Sequence, residues 1–162
     1  MITIIGIFVG AAVLSAGVAG DDRDIEREAF RLRTLLDLVR EEALMQNRDY
    51  GLMVRESGYR FYHYDYLQRA WLEPEADELL SAHALGEELS LALSVEDRDI
   101  ALEPGIDTDG VLAPEPQVLI LSSGEMTPFV ATVSRDFDGR RRVLRATFDG
   151  VLEISSDDVR VP

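Results

Sequence analysis

The chain has no cysteine, no lysine and only two histidines, His63 and His83, among its 162 residues. Without cysteine there is no disulfide framework, no thiolate zinc site, no iron–sulfur cluster and no thiol catalyst. With two imidazoles, histidine-based metal or acid–base chemistry has few groups to draw on. Both histidines are interpreted as packing or surface residues, and we expect no cofactor.

Positive charge is also scarce. All 16 basic residues are arginines, against 31 acidic residues, so the net charge is −15. Such a surface repels nucleic acid, and no nucleic-acid partner is expected. Residues 73–116 hold thirteen acidic residues and one arginine, Arg98, whereas the rest of the chain sums to only −3. We interpret 73–116 as an acidic insert, a strand or two joined by surface loops.

Residues 1–20 carry no charge at all. A helix of that length is about 30 Å long, close to the thickness of the hydrocarbon layer of a membrane. We interpret it as the transmembrane half of an N-terminal helix. A cleaved signal peptide is less favoured because no basic residue precedes the apolar stretch, and a buried core helix is a third hypothesis. Gly6 and Gly10, and Ala12 and Ala16, have the four-residue spacing of close helix–helix packing in the membrane.

Residues 21–48 have the apolar spacing of an amphipathic helix. No proline or glycine interrupts 21–47, so both halves are expected to form one helix about 70 Å long. That is too long for a compact domain, and the first half must project into a membrane or other subunits. The stripe expected to pack on the sheet is Ile25, Ala29, Leu32, Leu36, Val39 and Ala43.

Residues 49–162 change to the period-two alternation of antiparallel strands. The segments 51–55 and 59–64 flank a turn and predict a hairpin, with Trp71 and Leu72 in the next strand. The predicted fold is α+β: a long N-terminal helix packed against a C-terminal antiparallel β-sheet domain. Further strands are predicted over 89–95, 117–121, 128–134, 142–148 and 151–154, the last three joined by Asp-Gly turns.

No motif with a catalytic mechanism is present: there is no P-loop, dinucleotide-binding glycine turn, His-Glu-x-x-His or Gly-x-Ser-x-Gly. Ser122-Ser123-Gly124 is interpreted as a turn. Asp107 and Asp109 place alternate oxygen ligands beside Gly110 and form a weak calcium candidate. The other EF-hand positions are missing, so a solvated acidic loop is favoured. We expect no catalytic residue and no small-molecule substrate.

Two clusters remain open to more than one interpretation. Six aromatic residues fall within positions 59–71, and cross-strand pairing accounts for them. A partner-binding face formed by Tyr62, Tyr64 and Trp71 is the alternative hypothesis. Arg140-Arg141-Arg142 with Arg145 is interpreted as the surface of a hairpin rather than a DNA contact. The net charge of −15 argues against a DNA contact, because the rest of the protein would repel the phosphate backbone.

Several segments, in their order and spacing, resemble the GspH/FimT family of pilin-like proteins. The resemblance covers 2–72 and 117–155, with 73–116 outside it. The segments that carry it are Ile4-Ile5-Gly6-Ile7, the helix end from Phe30 to Arg48 with Arg40-Glu41-Glu42-Ala43, Gly51-Leu52-Met53-Val54, Tyr59-Arg60-Phe61 and the run from Leu121 to Phe129.

This resemblance implies a minor pseudopilin of the type II secretion system, a structural subunit rather than an enzyme. It implies a single pass through the inner membrane, a periplasmic C-terminal domain and assembly with other minor and major pseudopilins. The resulting pseudopilus drives export of folded proteins across the outer membrane. Two alternatives stay open: a FimT-like minor type IV pilin, in pilus assembly or DNA uptake, and a secreted hydrolase with a cleaved signal peptide.

One part of the family pattern does not occur in the chain. Family precursors carry a basic leader and then Gly-Phe-Thr-Leu-x-Glu, where prepilin peptidase cuts and methylates. We expect this processing site upstream of Met1. The family's membrane-buried glutamate is therefore assigned to no residue.

Overall fold

The computed structural model describes residues 2–74, 79–105, 114–135 and 139–156, with side chains from residue 23 onward. Two predictions fall outside this description. Asp107 and Asp109, the calcium candidate, lie between described segments. Gly6, Gly10, Ala12 and Ala16 lie in the part of the helix whose side chains are not described.

Helix α1 spans Ile2–Gln46, 45 residues, as one unbroken element. It ends because Asn47 adopts a left-handed conformation with φ 50°, and because Arg48 N–H donates back to Ala43 O at 3.2 Å. Together these form a Schellman motif, a common helix stop. Within the described part of the chain, no helix is long and apolar enough to cross a membrane.

The strands form two antiparallel sheets, where the sequence predicts one. The first has the order β3-β2-β1-β7 with β4 also paired to β2, and the second has the order β10-β9-β8-β5-β6. The strands are β1 (Tyr50–Arg55), β2 (Gly58–Asp65), β3 (Ala70–Leu72), β4 (His83–Ala84), β5 (Leu89–Val95), β6 (Arg98–Ile100), β7 (Val118–Ile120), β8 (Phe129–Arg135), β9 (Arg141–Ala146) and β10 (Leu152–Ser156).

The predicted first hairpin forms, with Arg55 opposite Gly58 across a two-residue turn. The hairpin of β5 and β6 is not expected from the sequence. Its two turn residues, Glu96 and Asp97, both have positive φ, 49° and 62°. This is the backbone of a type I′ turn, for which Asn-Gly or Asp-Gly is the usual signal. A Glu-Asp pair gives no such signal.

The acidic segment 73–116 contributes to the framework of the domain. Its strand β5 lies inside the second sheet and pairs with β8 over seven residue pairs, from Leu89 opposite Arg135 to Val95 opposite Phe129. The segment also links the two sheets, because Leu91 N–H donates to Glu56 O at 2.8 Å. Part of the backbone of the segment is thus integrated into the second sheet through β5 and β6.

The core lies between α1 and the two sheets, and α1 packs against β7, β8, β9 and β10. The six stripe residues are all buried, each with at most 1% of its surface exposed: Ile25, Ala29, Leu32, Leu36, Val39 and Ala43. Leu35 joins them, so the apolar stripe is wider than the spacing predicts. Leu52 and Phe61 from the first sheet and Leu144 from the second complete the same cluster.

Candidate functional site

The helix end and two turns of the sheet domain are joined by one arginine. Arg40 lies on the edge of the buried stripe of α1 and reaches across to both turns. Its Nε donates to Gly124 O at 2.8 Å and one of its terminal nitrogens donates to Asp149 O at 3.0 Å. Because backbone carbonyls accept both bonds, the guanidinium fixes the orientation of the helix on the sheets without using a carboxylate. We call Arg40 and these two turns the arginine clamp.

The clamp depends on glycine at both turns. Gly124 and Gly150 have φ of +87° and +79°, a region that residues with a Cβ adopt only at a cost. A Cβ at Gly150 would lie 2.4 Å from Arg40 Nε, and one at Gly124 would lie 3.2 Å from a methyl group of Leu44. At both turns, a side chain of the helix therefore occupies the space next to a glycine that a Cβ would need.

A second polar centre lies beside the helix end at Asp49. Its carboxylate accepts a hydrogen bond from the Tyr66 hydroxyl and another from Ser122 N–H, the latter at 2.8 Å. Partial burial raises the pKa of Asp49, but the hydrogen bonds from Tyr66 and Ser122 outweigh it, so the pKa lies below its ordinary value. Asp49 thus joins the start of β1 to the β2–β3 turn and to the turn at Ser122.

The acidic segment is attached to the first sheet by ion pairs. Arg55 pairs with Glu103, and Arg60 pairs with Glu73. Both arginines are largely buried, with 12% and 17% of their side chains exposed, whereas the two carboxylates are mostly in solvent. Unlike Arg40, these arginines hold the segment through charge pairs that salt can screen.

His83 makes a further contact between the acidic segment and α1. Its Nε2 lies 2.8 Å from a carboxylate oxygen of Glu28, and its ring centroid lies 5.2 Å from that of Tyr59. Burial raises the pKa of the Tyr59 hydroxyl far above its ordinary value. His63, on β2, has its ring centroid 6.5 Å from that of Tyr50. Both histidines are thus in contact with neighbouring rings.

The predicted aromatic face includes one residue that is not at the surface. Tyr64 packs edge to face with Trp71 at 5.1 Å and with Tyr66 at 5.0 Å, and these three are partly or largely exposed. Tyr62 has only 2% of its surface exposed. Tyr62 lies opposite Gly51 in the sheet, where Trp71 and Pro116 cover the strand. Within the aromatic cluster at 59–71, the residues whose rings reach solvent next to one another are therefore Tyr64, Tyr66 and Trp71.

The predicted arginine cluster and the predicted serine turn both lie in the sheet domain. Arg141, Arg142 and Arg145 lie in β9, and Arg140 precedes it. Arg145 is paired with Glu153 of β10 in the sheet register. Ser122-Ser123-Gly124 forms a turn closed by Gly124 N–H donating to Leu121 O at 2.8 Å. Among the described residues, no three His, Asp or Glu side chains come close enough to hold a metal ion.

Residues 28–150 match the family model described as type II transport protein GspH. Over 165 aligned residues, the chain is 33% identical to type II secretion system protein H of Pseudomonas aeruginosa, covering 100% of this chain and 88% of that protein. The chain belongs to the GspH family. The family match runs through residues 73–116, which the resemblance in the sequence left outside.

Other relatives agree with this assignment. Type II secretion system protein H of Aeromonas hydrophila is 29% identical, over 96% of this chain and 87% of that protein. The fold is similar to that of the minor pseudopilin EpsH of the Vibrio cholerae type 2 secretion system, with a TM-score of 0.66, 21% identity and coverage of 82% of this chain and 97% of that chain. Escherichia coli GspH aligns with a TM-score of 0.60 and 22% identity, over 86% of this chain and 91% of that chain.

These findings confirm the predicted α+β class and the predicted family. The chain is a minor pseudopilin of the type II secretion system, a structural and non-enzymatic family. They decide against the type IV pilin and secreted hydrolase alternatives. Neither Arg40 nor Asp49 is identified as a functional residue from the sequence, although Arg40 lies inside the Arg-Glu-Glu-Ala run that carries the family resemblance.

Proposed function

We propose that this minor pseudopilin is a structural subunit of the periplasmic pseudopilus, where it contacts other minor and major pseudopilins. The observation that carries the proposal is the arginine clamp together with the buried stripe of α1. Both join the helix to the sheet domain at a fixed orientation. A subunit that transmits force from a filament core to an outer domain requires such a rigid junction.

The proposal includes an inner-membrane anchor. Residues 1–20 form the transmembrane half of α1, residues 21–48 its amphipathic half, and residues 49–162 the periplasmic domain. Support comes from the absence of charge over residues 1–20, since each Asp, Arg or Lys at a helix centre costs about 3 kcal/mol on insertion. Gly6, Gly10, Ala12 and Ala16 are proposed as contacts to neighbouring helices in the membrane.

The sheet domain contributes the other proposed contacts. Tyr64 and Trp71 stay proposed as part of a partner face, because their ring surfaces are partly exposed and held in place by their mutual packing. No step of the proposal requires a cofactor, a nucleic acid or a small-molecule substrate.

Deletion of the gene and complementation with the full chain test this function. We expect the deletion to abolish secretion of folded exoproteins into the medium, and the full chain to restore it. Co-purification from detergent-solubilised membranes should then recover other pseudopilins with the full chain. Wild-type secretion in the deletion strain would overturn the proposal.

The anchor is tested separately by membrane extraction. The full chain should stay in the membrane pellet in alkaline carbonate, as integral proteins do. Replacing Val13 in the middle of the apolar stretch by Arg should move the chain toward the soluble fraction, whereas replacing it by Leu should not. Release of the unaltered chain by carbonate would contradict a membrane-spanning helix.

A further inference from the structure

Three large apolar side chains stand in solvent around the arginine clamp. Leu44, Phe148 and Val151 are 49%, 57% and 49% exposed. Leu44 adjoins Gly124, whose carbonyl Arg40 binds. Phe148 and Val151 flank Asp149 and Gly150, which form the other turn of the clamp. We name Leu44, Phe148 and Val151 the clamp patch.

Hydrogen bonds hold the backbone beneath the clamp patch. Phe148 O accepts a hydrogen bond from Met126 N–H at 2.9 Å, and Gly150 N–H donates to Thr147 O at 3.0 Å. Met126 itself is buried in the core. The side chains of the patch therefore extend from a hydrogen-bonded backbone, so that binding of a partner would need little further ordering of the backbone. Exposed apolar clusters of this kind mark interaction sites more often than single exposed residues do.

Acidic groups dominate the border of the patch. Glu41 lies one helical turn before Leu44 and is exposed, Asp149 lies between Phe148 and Val151, and Glu125 follows Gly124. Hydrogen bonds from the Thr147 hydroxyl and nearby backbone hold the pKa of Asp149 below its ordinary value. Two basic residues lie near the patch. Arg40 donates to backbone carbonyls, and Arg145 lines a groove of about 250 Å³ beside Phe148.

An apolar centre with an acidic border fits a partner with the opposite border. We propose that the clamp patch docks the globular domain of another pseudopilin, through an apolar surface on that domain flanked by arginine or lysine. This rests on the proposed function, since it assigns one of the contacts of the pseudopilus to these residues. Burial of the three side chains supplies attraction, and the basic residues of the partner select its orientation against Glu41 and Asp149.

The absence of cysteine makes the test direct, because a single introduced cysteine labels one position. Full-length F148C and V151C are expressed at native level, labelled with a benzophenone maleimide in membrane preparations and irradiated. We expect each to cross-link to a pseudopilin subunit identified by mass spectrometry, at a peptide that contains arginine or lysine beside apolar residues. A92C is the matched control, because Ala92 is exposed on the outer face of the second sheet, and its yield should be at least about fivefold lower.

Charge and secretion give the second readout. In the F148C background, Glu41→Arg should reduce the cross-link at least about fivefold, and Glu41→Gln should reduce it less. Phe148→Glu should reduce secretion about tenfold while the amount of the chain and its protease resistance stay unchanged. A cross-link only to a second copy or to a protein that is not a pseudopilin, equal yields from A92C, or full cross-linking with Glu41→Arg would each overturn the proposal.

The two proposals fail in different ways. Normal secretion in the deletion strain would remove the proposed function itself. Loss of secretion on deletion, together with normal secretion from the Phe148→Glu chain and no cross-link from F148C, would remove the docking surface and leave the proposed function intact.

Discussion

Two groups of arginines attach parts of this domain in different ways. Arg40 holds the helix to the turns at Gly124 and Asp149 through backbone carbonyls. Arg55 and Arg60 hold the acidic segment through exposed carboxylates. Carbonyl contacts depend on the backbone geometry of glycine turns, whereas carboxylate contacts depend on charges that water and salt can replace. The helix–sheet junction is therefore expected to be insensitive to salt, and the outer attachment of the acidic segment is expected to weaken as salt is added.

The largest effect is expected at the buried face of α1, one helical turn before Arg40. Leu36 is fully buried in the helix stripe, so Leu36→Ala should lower the free energy of unfolding by about 3 kcal/mol. Urea denaturation of the detergent-solubilised chain, followed by circular dichroism, measures it. Phe30→Ala, on the exposed side of the same helix, should cost less than about 0.5 kcal/mol. Equal losses from both would contradict a junction held by burial on one helix face.

The second largest effect on stability is expected at the arginine clamp itself. Arg40→Met keeps the aliphatic stem but removes both hydrogen bonds, and we expect a loss of about 2 kcal/mol that is the same at low and high salt. Arg40→Lys should recover only part of it, because an ammonium group cannot reproduce the fork that spans two carbonyls. Full stability of the lysine variant would show that charge alone, without the fork, holds the turns.

The stability that Asp49 contributes should depend on pH. Its pKa is lower in the folded chain than in the unfolded chain, so its stabilisation is complete above the unfolded pKa and is lost as pH falls through the folded pKa. Asp49→Asn should therefore be less stable than the parent at neutral pH by about 1 kcal/mol, after allowance for its exposure. Thermal melting at pH 7 and at about pH 2 should show this gap closing in acid. A gap that persists in acid would assign the loss to altered packing instead.

The smallest effect is expected at the outer attachment. Glu73→Gln removes the carboxylate partner of Arg60 and should cost about 0.5 kcal/mol, a difference that about 1 M salt should abolish. The single tryptophan, Trp71, lies two residues from Glu73, so its fluorescence reports on this attachment. Glu87→Gln, at another exposed carboxylate of the acidic segment, is the matched control and should change neither the stability nor the tryptophan fluorescence. A salt-independent loss would place Glu73 in the same class as the clamp.

Local patterns predicted the elements that carry their own signals. The three- and four-residue steps from Ile25 to Ala43 indicated the buried side of α1, because helical geometry alone decides which residues share a face. The Asp-Gly pair at residues 149–150 marked a turn, because glycine there allows the positive φ. These predictions did not depend on residues that are distant in the sequence.

Features that depend on distant residues escaped prediction. Tyr62 alternates like a surface residue, yet Trp71 and Pro116 cover that side of the strand. The two-residue strand β4 exists because of its pairing with Gly58 and Tyr59, and its own sequence carries no strand signal. Arg40 looked like one more charged residue on a solvated helix face, because both of its carbonyl partners lie more than eighty positions away.

The side chain of Gln117 continues the pairing of β1 and β7 beyond the last paired residues of the two strands. Pro116 has no N–H to offer Val54, and the amide of Gln117 takes its place, donating to Val54 O at 3.0 Å and accepting from Val54 N–H at 2.8 Å. The side chain imitates a peptide unit and closes a stretch of strand that would otherwise stand open. Open strand edges recruit other chains indiscriminately. The Gln117 amide thus occupies the N–H and C=O of Val54, the two groups that an added strand would otherwise pair with at this point.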